Sequence, residues 1–85
     1  MTPYQVIGGA DAESMLADLW IESSDPNSVT IGQAEADRLL SRDPFQYGKH
    51  VSEGLYRIRV GSLLINFTLA VDARIVNVTW VRPSA

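Results

Sequence analysis

The apolar residues change their spacing near residue 54, and this constrains the chain more than anything else in it. Before that point they recur at helical intervals. Ala12, Met15, Leu16, Leu19 and Trp20 fall at i, i+3, i+4, i+7 and i+8, and Val29, Gly32, Ala36, Leu39 and Leu40 form a second stripe. After it the period is two. Tyr56, Ile58 and Val60 alternate with Leu55, Arg57 and Arg59; Leu63, Ile65, Phe67, Leu69 and Val71 share one face of the next run; Val76, Val78 and Trp80 share one face of the last. The spacing therefore predicts two helices followed by three strands.

Punctuation fits these runs. Tyr4 to Ile7 alternates weakly and stops at Gly8-Gly9, as a short strand and turn would. Asp11 is placed to cap the first helix, and Ser23-Ser24-Asp25-Pro26 ends it. The second helix has two candidate starts, Asp25 before Pro26, or Thr30 with Gln33 as a capping box. Small residues at positions 32, 34 and 36 would allow close approach to the first helix, and Asp43-Pro44 stops the second. Phe45 to Glu53 is expected as a loop, Gly61-Ser62 as a tight turn, and Asp72-Ala73 as another. The expected fold class is α+β: a short N-terminal strand, a helix hairpin, and a three-stranded antiparallel meander whose apolar face the hairpin covers.

With 85 residues, 46% of them apolar, the chain is expected to form one domain spanning residues 1–85 and to bury a core. The absence of cysteine removes disulfides and thiolate metal sites and suits a reducing compartment. Met1-Thr2-Pro3-Tyr4 does not read as a signal peptide, and the longest apolar run, Leu63-Leu64-Ile65, is too short to span a bilayer. A cytoplasmic location is expected. Net charge is −3, unevenly spread: eight acids face two bases through Asp43, whereas five bases face two acids from Pro44 onward. An acidic ligand would prefer the second half, while the overall balance is too acidic for a general polyanion binder.

Arg57 and Arg59 stand out for chemistry. Two residues apart on one strand, they project from one face about 6–7 Å apart, and two guanidiniums there can grip carboxylates or phosphates bidentately. Equally, arginines are common on the solvent face of a half-covered sheet. Lys49, His50 and Glu53 arrive from the preceding loop and could extend the cluster. His50 could be a general acid or base, although an exposed loop setting favours a solvated histidine. No second histidine exists to complete a transition-metal site, and neither metal nor cofactor is expected. Trp20 and Trp80 are expected in the core or at its edge. The sequons at Asn66 and Asn77 fall inside strands and are set aside.

The order of elements, together with Ala12 to Ile21, Leu39 to Pro44, the run Glu53-Gly54-Leu55-Tyr56-Arg57-Ile58-Arg59-Val60-Gly61, and Leu64 to Asp72, resembles the RelE/ParE superfamily of small toxins from type II toxin–antitoxin systems. The likeness covers nearly the whole chain. It implies a cognate antitoxin as partner, with a homodimer an open alternative. RelE-like members cut messenger RNA in the ribosome with basic residues of this strand, an arginine early in the next, and a basic or aromatic group near the C-terminus. Arg57 and Arg59 match the first pair, Leu63 or Leu64 occupies the arginine position, and only Arg82 remains near the end. Such a nuclease would rely on Arg57, Arg59 and Arg82, with His50 or Glu53 as proton carrier. ParE-like members instead inhibit DNA gyrase by binding, which needs none of these. The resemblance thus implies a toxin-like protein acting by protein binding or diverged from activity, with Lys49, Glu53, Arg57 and Arg59 meeting the partner. The alternatives are a ribosome-dependent mRNA endonuclease and a non-toxic interaction domain on the same scaffold.

Overall fold

Gly9 ends the first strand in an extended conformation (φ −70°, ψ 169°), and its carbonyl accepts the Glu13 N–H at 2.9 Å, opening the first helix. In the computed structural model, which describes residues 3–83, the order is β1 (Gln5–Gly8), α1 (Ala10–Glu22), α2 (Pro26–Arg42), α3 (Pro44–Tyr47), β2 (Lys49–Ser52), β3 (Leu55–Val60), β4 (Leu63–Ala70) and β5 (Ile75–Pro83). Met1 and Thr2, read above, and Ser84 and Ala85 lie outside the described residues. No helix among the described residues is long and apolar enough to cross a membrane.

The expected α+β plan holds, with both helices and all three meander strands in place. Caps differ in detail. Asp11 sits inside the first turn of α1, where its charge suits the helix dipole, and does not cap it. Helix α2 starts at Pro26, which needs no N–H there, so Thr30 lies inside the helix and its hydroxyl donates to the Pro26 carbonyl. The capping-box pattern at Thr30 is therefore unused.

Phe45 to Glu53 is not a loop. Asp43 closes α2, and its carboxylate Oδ1 accepts the Gln46 N–H at 3.1 Å, starting the single turn α3 on Pro44. Strand β2 follows and pairs antiparallel with β3 across the two-residue turn Glu53-Gly54, where Gly54 takes φ +74°. Four residues at an exposed edge carry too little apolar periodicity to announce a strand. Strand β1, unplaced by the sequence, runs parallel along β5 at the other edge, which completes a five-stranded sheet in the order β1-β5-β4-β3-β2.

Helices α1 and α2 cover one face. Val29, Ala36 and Leu40 of α2 meet Ile58, Val60, Leu63, Ile65, Phe67, Val76 and Val81 in the core, and Phe67 and Leu40 are fully buried. Gly32 makes its close approach to the sheet, not to α1: a Cβ there would stand 3.1 Å from the Leu63 side chain and 3.3 Å from the Val60 carbonyl. The stripe of α1 is only partly used. Ala12 is buried, Leu16 and Leu19 half-buried, and Met15 and Trp20 exposed. Val71 lies past the end of β4 and is exposed too.

Candidate functional site

The uncovered face is organised by a bulge. Strand β5 pairs with β4 in register from Ile75 to Val78, then slips, so that Trp80 and not Thr79 lies opposite Asn66. One extra residue reverses the alternation. Val76 and Val78 face the helices as the spacing predicts, but beyond Thr79 it is Val81 that enters the core and Trp80 that turns to the open face. The bulged Thr79 hydroxyl donates to the Asn66 carbonyl at 3.2 Å. The expectation of Trp80 in the core or at its edge, on the face of Val76 and Val78, is thus overturned by a slip of one position, and Trp20 is half exposed on α1.

Register then places the cations. Lys49, Arg57, Asn66 and Trp80 form one row across β2, β3, β4 and β5, and Arg59, Leu64 and Arg82 form the next. Neighbouring strands lie about 4.8 Å apart, so side chains within a row touch. Arg57 donates from Nε to Asn66 Oδ1 at 2.9 Å, which satisfies an amide only 2% exposed. The Trp80 ring lies under two guanidiniums, with Arg82 at 4.8 Å and Arg57 at 5.8 Å from its centroid. Tyr47, Lys49, Arg57, Arg59 and Leu64 border a shallow depression of about 460 Å³.

Lys49, Arg57, Arg59 and Arg82 therefore share one face, and among the described residues none of them forms an ion pair. Lys49 directly opposes Arg57, an arrangement of like charges that weakens a sheet. Of the other residues singled out from the sequence, His50 does not join the cluster. It pairs with Tyr56 on the helix-side face, 5.3 Å from that ring, because adjacent residues of a strand point to opposite faces. Glu53 is exposed in the β2–β3 turn. Leu63 is buried in the core, and Leu64 sits between Arg59 and Arg82. Sequence reasoning missed Asn66 and Trp80 as members of this face. Asn66 carried a signal, an amide at an outward position beside Arg57, whereas Trp80 depended on a bulge that alternation cannot show.

No protein-family model matches the chain. No curated protein matches its sequence. Its fold is of the RelE/ParE type. In particular, it is similar to a chain of the toxin–antitoxin complex RelBE2 from Mycobacterium tuberculosis, with a TM-score of 0.84 at 24% identity over 100% of this chain and 95% of that one. It also resembles TrmO from Pseudomonas aeruginosa, with a TM-score of 0.60 at 17% identity; the match takes in 96% of this chain but 36% of the longer protein. Both likenesses are of architecture.

Proposed function

We propose that the chain is the toxin-type component of a toxin–antitoxin pair and acts by binding protein through the open face of its sheet. The observation that carries this is the set of four cations that form no ion pair among the described residues, Lys49, Arg57, Arg59 and Arg82, on a fold shared with a chain of such a complex. An acidic segment from the partner would relieve the Lys49–Arg57 repulsion and take bidentate hydrogen bonds from the arginines. The carboxylates would arrive at groups already held in place by Asn66 and Trp80, so little side-chain entropy would be lost.

A second reading, a ribosome-dependent mRNA endonuclease, is favoured by one observation: Arg82 converges with Arg57 over Trp80. Attack by a 2′-hydroxyl also needs a proton acceptor and donor beside the charge stabilisers. With His50 against Tyr56 on the other face and Leu64 between the two outer arginines, this face supplies charge and little else.

Expression alone, followed by co-expression with the product of the adjacent reading frame, tests the proposal. Growth arrest with intact messages and DNA damage, relieved by the co-expressed protein, is expected, and gyrase is then the target to assay. Message cleavage lost in the Arg57→Ala, Arg59→Ala double variant would establish the nuclease instead. Unimpaired growth would leave a non-toxic interaction domain.

A further inference from the structure

The helix side of the molecule has an opening of its own, separate from the cationic face. Between α1 and α2 the layer leaves a cavity of about 240 Å³ above the sheet. Its floor is core: Leu63 and Ile65 are buried there, with Leu16 and Val78 half-buried beside them. Its rim is polar, carrying Glu13 from α1 and, one turn apart on the same side of α2, Gln33 and Asp37. The Glu13 Cγ rests against Gly8 at the end of β1, within 3.6 Å of where a Cβ would stand.

Among the described residues no cation pairs with this rim. Neither Glu13 nor Asp37 forms an ion pair among the described residues, and Arg38, which follows Asp37, is engaged with Glu35 at 3.0 Å. Desolvation without a compensating partner raises the Asp37 carboxyl above its ordinary value. The mouth therefore favours positive charge and repels negative charge. Size narrows the choice further. Small-molecule sites run from about 300 to 1,000 Å³, so this cavity is on the scale of a single long side chain. A purely apolar group would fill the floor but leave both carboxylates uncompensated. An arginine offers three methylenes for the apolar floor and a planar guanidinium able to fork between carboxylates on opposite walls.

We propose that this seam is a docking socket for one arginine side chain of a partner polypeptide, its stem on Leu16, Leu63, Ile65 and Val78 and its guanidinium between Glu13 and Asp37. The site lies across the sheet from Lys49 and Arg57, and it stands or falls independently of the toxin reading.

The test is a nuclear magnetic resonance titration of the whole chain, labelled at methyl groups, with a capped leucine-arginine-leucine tripeptide. The same peptide with citrulline in place of arginine, and free propylguanidinium, serve as the other arms. Saturable shifts at the Leu16, Leu63, Ile65 and Val78 methyls with the arginine peptide are expected, together with loss of binding to the citrulline peptide. Replacing both rim acids (Glu13→Gln, Asp37→Asn) should weaken binding about five- to tenfold, the scale of two exposed charge pairs. Both positions are on the surface, so unchanged spectra away from the seam will establish folding. Equal binding of the citrulline peptide, shifts centred on Asp18 and Glu22 instead of the seam, seam shifts with propylguanidinium but none with the arginine peptide, or no effect of the double substitution would each overturn the proposal.

Discussion

On the helix side of the sheet, Leu63, Ile65 and Phe67 of β4 are at most 4% exposed and belong to the apolar core. On the opposite side, the residues between them, Leu64 and Asn66, share rows with Lys49, Arg57, Arg59, Trp80 and Arg82. The same strand thus serves two surfaces governed by different physics. Apolar area removed from water, at about 25 cal/mol per Å², holds the first together. The second concentrates like charge, which weakens the fold and is useful only to something anionic. Stability and recognition are divided between the faces, and substitutions should sort accordingly.

The largest effect is expected on the covered side. Phe67→Ala removes a fully buried ring stacked on Tyr56 and should cost about 3–5 kcal/mol, enough to unfold much of a small domain at ambient temperature. Denaturant unfolding measures it, and a loss below about 1 kcal/mol would mean the core is not packed as described. Next is Arg57→Ala, where the faces meet: it leaves the buried Asn66 amide oxygen without its donor and should cost about 1–3 kcal/mol while also weakening partner binding.

Smaller and opposite in sign, Lys49→Glu replaces a like-charge neighbour of Arg57 with an acid. It should stabilise by about 0.2–1 kcal/mol while reducing affinity for an acidic partner. Thermal unfolding paired with a binding titration separates the two readouts; loss of stability on introducing the acid would break the contrast between the faces.

The smallest effect concerns pH. Because the Asp37 carboxyl is raised above its ordinary value of 3.8, the folded state holds that proton more tightly than the unfolded chain does. Stability should then fall as pH rises through the interval just above 3.8. Asp37→Asn should raise the melting temperature slightly at pH 7 and leave it unchanged at pH 3; equal shifts at both values would remove desolvation as the cause.

The covered side was legible in advance because two periods, 3.6 and 2.0, each wrote a continuous apolar stripe. Val29, Ala36, Leu40, Ile58 and Phe67 all went where their spacing put them. The open side was legible only where one strand carried its information locally, as in Arg57 and Arg59. Strand β2 is four exposed residues at an edge, with no apolar alternation to set it apart from a loop. Trp80 went to the wrong face on paper because a bulge at Thr79 shifts parity without changing composition. The parallel pairing of β1 with β5 joins the two ends of the described chain, and no local pattern encodes a contact of that separation.

The division between the faces is tested most directly by mapping backbone amide and Trp80 indole resonances while adding the protein encoded beside this one. The account predicts that Arg57, Arg59, Leu64, Trp80 and Arg82 move together as the acidic segment binds, while Phe67 and Leu40 in the covered core stay still. A bound complex in which the two strand arginines remain in solvent and their resonances do not shift would contradict it.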